Sequence, residues 1–198
     1  MGREANVMRS LRLLPFALIV LSLLIAGCVQ ENNSVQNNYS VQGNNSAQET
    51  SISPSESQIK QFLEEKNVTS LANRTVGNST VVLYENESEM GVYQISIDET
   101  GKMSWTQLSW ANNSAFTPVS IGSRATGVPF VAVIINNDQM LKKAYKVTVV
   151  FRNKDEVTEL VNNSKGIIIP DENVRNGNVG WSSVTVFDKD NNVLFKKD

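Results

Sequence analysis

The sequence predicts a mainly β domain: an antiparallel sandwich or barrel-like fold of about 8–10 strands with one short N-terminal helix. Three observations carry the expectation. After residue 68 apolar residues recur with period 2, as in Tyr93, Ile95 and Ile97 or Tyr145, Val147, Val149 and Phe151, the spacing that puts side chains on one face of a strand. Phe130–Ile135 is continuously apolar and rich in Val and Ile, which suits a central strand covered on both faces. Turn-forming clusters, among them Asp98-Glu99-Thr100-Gly101, Asn153-Lys154-Asp155, Asn176-Gly177 and Asp188-Lys189-Asp190-Asn191-Asn192, separate the strands as hairpin connections do.

The elements follow in order. Residues 29–53 are rich in Asn, Gln and Ser, with Ser-Val-Gln at 34–36 and again at 40–42. Such a stretch buries too little apolar surface to offset its ordering entropy and is expected to act as a tether. Ser53, Pro54 and Glu56 then suit an N-cap, first helical position and capping-box partner, so a helix is expected over about 54–66, with Ile59, Phe62 and Leu63 on its apolar stripe. Strands are expected at Thr80–Tyr84, Tyr93–Ile97, Phe130–Ile135, Tyr145–Phe151 and Trp181–Phe187. A weak repeat joins Val81–Tyr84, Val131–Ile134 and Ile167–Pro170, each followed by an aromatic-led strand beginning at Tyr93, Tyr145 or Trp181.

The N-terminus has a different character. Arg9 and Arg12 precede an apolar run from Leu13 to Ala26, and Leu24-Ile25-Ala26-Gly27-Cys28 closes it with small residues before the only cysteine. The run is 14 residues long, short of the roughly 20 that a bilayer-spanning helix needs. Residues 9–28 resemble the signal and lipobox of bacterial and archaeal lipoproteins. The resemblance implies cleavage before Cys28, a diacylglycerol thioether on its sulfur, and attachment to the membrane facing outside the cytoplasm. It covers about a tenth of the chain and says nothing of the domain behind it. The expected organisation is a signal peptide over 1–27, a lipidated cysteine and tether over 28–53, and one β domain over 54–198.

Composition narrows the function. Without residues 1–27 the chain loses Arg3, Arg9, Arg12 and Glu4, leaving 15 basic and 19 acidic residues, a net charge of −4. A weakly acidic, mixed surface argues against nucleic acid as a partner, because phosphate backbones are bound through clustered Lys and Arg. With Cys28 acylated no thiol remains for disulfides, thiolate catalysis or metal binding. Histidine is absent, which removes the commonest general base and zinc ligand together. No cofactor is expected.

Several groups are candidates for a site. Trp105, Trp110 and Trp181 are candidates for an aromatic ligand platform, although aromatics on strands more often serve the core. Glu85, Glu87, Glu89, Asp98 and Glu99 supply paired carboxylates of the kind a hydrolase uses, but in or beside expected turns. Asp188–Asn192 begins like a calcium loop, yet Val193 stands where glycine is required, and a hairpin turn is the expectation. Nine Asn-x-Ser/Thr sequons occur, at Asn32, Asn38, Asn44, Asn67, Asn73, Asn78, Asn86, Asn112 and Asn162, each a candidate glycosylation site in a host that glycosylates its surface proteins. The expected role is non-catalytic binding or structural work at the cell envelope, with an envelope protein or glycan as partner. The alternatives are a ligand-capturing accessory of a transporter or sensor and a carboxylate-based hydrolase.

Overall fold

The computed structural model describes residues 51–198. The signal, Cys28, the tether up to Thr50 and the sequons at Asn32, Asn38 and Asn44 lie outside the described residues. The described chain runs α1 (Glu56–Lys66), β1 (Thr69–Val76), β2 (Ser79–Glu85), β3 (Glu89–Ile97), β4 (Met103–Ala111), β5 (Val119–Arg124), β6 (Thr126–Gly127), β7 (Phe130–Ile135), α2 (Asp138–Lys143), β8 (Ala144–Phe151), β9 (Glu156–Leu160), β10 (Gly166–Pro170), β11 (Gly177–Asn178), β12 (Trp181–Asp188) and β13 (Val193–Lys197). The fold is mainly β, and every strand pairing is antiparallel. Thirteen strands exceed the expected eight to ten, two of them only two residues long.

Strand alternation sorts these elements into layers. The N-terminal sheet is a meander in the order β1-β2-β3-β4, the central sheet has the order β10-β7-β5, and the C-terminal sheet has the order β13-β12-β8-β9. Val81, Leu83, Met90 and Val92 of the N-terminal sheet pack with Phe130, Ala132, Ile134 and Ile168 on one face of the central sheet. Val131, Val133, Ile135, Ile167 and Ile169 on its other face pack with Val147, Val149, Phe151, Val184 and Val186 of the C-terminal sheet. The central sheet is thus a shared layer, and all six residues of β7 are buried, as its continuous apolar run requires. Helix α1 covers the far face of the N-terminal sheet, Ile59 and Phe62 packing with Val82, Tyr84, Tyr93 and Ile95.

Ionic contacts tie the layers together along the side where β1, β10 and β9 are edge strands. Arg74 on β1 places Nη1 2.5 Å from Glu159 Oε1 on β9 and Nη2 3.4 Å from Glu172 Oε1, and donates to the Ile168 carbonyl at 3.2 Å. Lys165 Nζ lies 2.6 Å from Glu85 Oε2, joining the approach to β10 with the end of β2.

Four local expectations change. The helix begins two residues later than expected: Ser55 is the N-cap and Gln58 completes the capping box. Two overlapping capping-box frames exist in Ser53–Gln58, and the later one prevails while Pro54 is buried outside the helix. Helix α2 was not expected, because it buries no residue and carries no apolar period; Asn137 caps it by accepting the Met140 N–H at 2.8 Å. Asn176-Gly177 is not a hairpin turn, since Gly177 opens β11 and pairs with Gly127 of β6. The repeat is not threefold, because β2 and β3 pair in one sheet while β7 to β8 and β10 to β12 each pass from the central to the C-terminal sheet. The last two units do correspond: each crosses over and then turns back in a hairpin, β8 to β9 and β12 to β13.

The other expected hairpins form, and two share one turn. Asp98 Oδ1 accepts the N–H groups of Thr100 and Lys102, and Asp188 Oδ1 accepts those of Asp190 and Asn192. The fourth turn residue takes positive φ in both, 83° at Gly101 and 64° at Asn191, a conformation these two residue types adopt at low cost.

Candidate functional site

The structure does not bring the three tryptophans together. Trp105 and Trp110 sit five residues apart on β4, an odd spacing that sends them to opposite faces. Trp105 lies on the helix-covered face, edge-on to Tyr93 at 5.7 Å and to Phe62 at 5.9 Å, with the Lys66 ammonium 4.1 Å from its ring centroid. Trp110 packs against the core between the N-terminal and central sheets, its ring seated over Gly122. Trp181 packs against the core between the central and C-terminal sheets.

Trp181 alone opens onto a groove built from several strands, an open concavity of about 910 Å³. Its lining includes Ser123, Arg152, Asn153, Asn178, Trp181 and Ser182. Pairing of β12 with β8 creates the arrangement, because Trp181 lies opposite Phe151 and Arg152 follows directly. A bulge between Trp181 and Ser183 sets Ser182 outward, its Oγ donating to the Val150 carbonyl at 3.1 Å. Trp181 Nε1 donates to Ser123 Oγ of β5 at 3.2 Å, which fixes the indole across two sheets.

Arg152 is held by its backbone, its N–H donating to the Gly180 carbonyl at 2.8 Å, while its stem runs beside Gly180. Among the described residues no carboxylate lies within ion-pair distance of its guanidinium. The loop that carries it is anchored from below. Asn153 Nδ2 donates to Asp155 Oδ2 at 2.9 Å and to Asp171 Oδ2 at 2.8 Å, and Asp171 is fully buried. The groove thus presents an apolar indole, a guanidinium without an ion-pair partner, the carboxylate of Asp198, hydroxyls and amides. Such a set can stack on a planar or sugar ring and donate several hydrogen bonds to hydroxyl or anionic oxygens.

Arg152 was not singled out from the sequence. It stands 29 residues before Trp181, and only the β8–β12 register places the two side by side.

A second cleft, of about 790 Å³, runs between α1 and β1 and is lined by Ile59, Lys60, Leu63, Glu64, Asn67 and Asn73 among others. Two of its lining residues are sequon asparagines, and its Lys60 and Glu64 face each other at 3.9 Å. Asn67, Asn73, Asn78 and Asn162 are exposed, whereas Asn86 and Asn112 are half-buried with their amides engaged. Asn112 Nδ2 donates to the Asn86 carbonyl at 2.8 Å, and Asn86 Oδ1 accepts the Ser88 and Glu89 N–H groups.

Three of the five carboxylates considered for catalysis, Glu85, Glu89 and Asp98, have structural partners. Glu85 is paired with Lys165, and Glu89 Oε1 accepts from Tyr84 Oη at 2.9 Å and from Gln107 Nε2 at 3.2 Å. The carboxyl of Asp98 is held below its ordinary range by the Thr100 hydroxyl first and then the Lys102 backbone N–H. Asp188 is lowered in the same way, chiefly by the Asn192 side chain. Tyr84, stacked on Tyr93 at 4.6 Å, is raised far above the usual phenol value by burial, with the Gln107 bond opposing and Glu89 adding to the effect.

Among the described residues no helix is long and apolar enough to cross a membrane. No protein-family model, curated protein or solved structure matches this chain.

Proposed function

We propose that the mature protein is a lipid-anchored, extracytoplasmic binding module that works at the cell envelope without catalysing a reaction. The anchor is the lipidated Cys28, and the sequence from Arg9 to Cys28 supports it through its order of charge, apolar run, small residues and cysteine. The observation that carries the binding role is the Trp181 groove, where an indole held by Ser123 adjoins an Arg152 guanidinium that forms no ion pair among the described residues, with Asp198 also on the lining. Its ligand is an envelope glycan or an envelope protein bearing acidic or hydroxyl-rich groups. Glycans on the exposed Asn67, Asn73, Asn78 and Asn162 belong to the same external setting.

Location and binding are tested separately. Cys28→Ser is expected to shift the protein from the membrane fraction to the soluble fraction. Retention in the membrane at unchanged size would overturn the anchor. For binding, the detergent-solubilised full chain is titrated with envelope glycan fragments while Trp181 fluorescence is followed against a Trp105→Phe, Trp110→Phe background. Saturable change that Arg152→Ala weakens by about tenfold supports the groove, since a charge-assisted hydrogen bond is worth roughly 1.5–3 kcal/mol. Equal binding by Arg152→Ala in the same titration, and by Trp181→Phe measured by calorimetry, would remove it.

A further inference from the structure

Among the described residues the exposed edges of the three larger sheets carry charge, with one exception, and the uncharged β6 and β11 are only two residues long. β13 has Lys196 and Lys197, β9 has Glu156 and Glu159, β1 has Arg74 and β5 has Arg124. Charged side chains on an edge oppose pairing with another strand. The edge of β10 is uncharged, but all five of its residues are buried. β4 closes the N-terminal sheet with nine residues, Met-Ser-Trp-Thr-Gln-Leu-Ser-Trp-Ala, none of them charged and none proline. Ser104, Trp105, Thr106 and Ala111 are exposed along it, and among the described residues no strand pairs with its outer side. Five residues beyond its end stands Phe116, 92% exposed.

The backbone polarity of that edge follows from the hairpin. β3 and β4 pair so that Ser96 faces Ser104 and Gln94 faces Thr106, and bonds from the Asp98 N–H to the Lys102 carbonyl and from the Asn112 N–H to the Ser88 carbonyl flank the ladder in phase. Alternation therefore gives the even-numbered residues of β4 to β3 and turns the N–H and C=O groups of Met103, Trp105, Gln107, Ser109 and Ala111 outward.

The composition of β4 is complementary to itself about its centre. In an antiparallel two-fold pairing on Gln107, Met103 meets Ala111, Ser104 meets Trp110, Trp105 meets Ser109, and Thr106 meets Leu108 of the other copy. Each of the three largest side chains is opposed by a small one, no β4 residue is itself charged although Arg124 Nη1 donates to Thr106 Oγ1 at 3.4 Å, and outward backbone groups face outward backbone groups. A two-fold interface requires this self-complementarity. The charged edges would instead bring Lys against Lys or Glu against Glu.

We propose that a second copy of this chain pairs with β4, antiparallel and two-fold symmetric about Gln107, joining two four-stranded sheets into one of eight strands. The pairing satisfies about ten outward backbone groups in each copy and shields Trp105 from water.

The test uses the full chain in detergent, measured by sedimentation equilibrium over a concentration series, with Thr106→Lys and with Gln107→Cys in a Cys28→Ser background. Dimers are expected for the unaltered chain, with dissociation constant raised about tenfold or more by Thr106→Lys, whose ammonium groups meet near the axis. Gln107→Cys is expected to form a disulfide-linked dimer on mild oxidation, because its two copies face each other. Circular dichroism confirms that both variants fold; should Thr106→Lys fail to fold, Ser104→Lys replaces it. A monomer at every concentration overturns the proposal. So does a dimer that neither Thr106→Lys weakens nor Gln107→Cys links. A monomer whose odd-numbered β4 amides are protected from hydrogen exchange, and lose protection when residues 29–50 are deleted, overturns it in favour of the chain's own tether as the added strand.

Discussion

Gly122 lies directly under the indole of Trp110: a Cβ placed on Gly122 would stand 2.3 Å from Trp110 Cη2 and 2.4 Å from Cζ3. The contact joins the edge strand of the central sheet to the edge strand of the N-terminal sheet, and a flat ring takes the space that a missing side chain leaves. Gly122→Ala must therefore push the indole or spread the two sheets. We expect a loss of about 1–3 kcal/mol of stability, read as a lower urea midpoint at unchanged slope. Gly180→Ala is the control, because a Cβ there meets Arg152 only at an ordinary 3.5 Å, and it should move stability by less than about 0.5 kcal/mol.

Tyr84 sets the alkaline limit. Its phenol is buried, so the folded protein holds the proton to a higher pH than the unfolded chain does, in which ionisation begins near the ordinary value of about 10. Stability is therefore fully present below pH about 10 and declines above it, because the unfolded state then releases a proton that the folded state retains. Tyr84→Phe should flatten this decline between pH 9 and 11. It should also lower stability at pH 7, since Glu89 and Gln107 lose the hydroxyl they share. Urea midpoints across that range decide the matter, and an unchanged alkaline slope in the variant would refute the assignment.

Asp98 and Asp188 set part of the acid limit. Both carboxyls are depressed in the folded protein by hydrogen bonds inside their turns, so the unfolded chain takes up protons first as pH falls. Their contribution is present above the ordinary carboxylate value of about 3.9 and is lost as pH drops through the lowered folded values. The double variant Asp98→Asn, Asp188→Asn should be less sensitive to acid between pH 4 and 2 than the unaltered protein. Equal acid slopes in the two proteins would show that these turns do not contribute.

Arg74 gathers Glu159, Glu172 and the Ile168 carbonyl across the edge strands of the three layers, and its side chain is one-third exposed. Partial exposure screens such pairs, so Arg74→Met should cost about 1 kcal/mol at low salt and less in 1 M NaCl. A salt-independent loss would mean that the arginine stem, packed across the sheets, supplies the stabilisation instead.

The fold was legible where its cause is local. Alternation gave β3, β8 and β12, the unbroken Phe130–Ile135 run gave a strand buried on both faces, and Asp98 and Asp188 marked hairpins through side-chain bonds to nearby backbone. Alternation also held an unread signal in β4, since an odd spacing between Trp105 and Trp110 forbids one shared platform once the segment is a strand. Helix α2 gave no signal because its two large apolar residues, Met140 and Leu141, are adjacent and only partly buried against the core, too few to show a helical period.

What the sequence determined by itself is the mainly β character, a helix near its observed place, the doubly covered central strand, and a chain without histidine whose single cysteine closes an apolar run. Tertiary structure alone decided that two sheets pack on the two faces of a shared central one, that the three tryptophans go to three different places, and that Arg152 meets Trp181. The physical reason is range. Alternation and turn chemistry act over a few residues, whereas strand partner and layer follow from packing between segments tens of residues apart, which the period-2 pattern leaves undetermined.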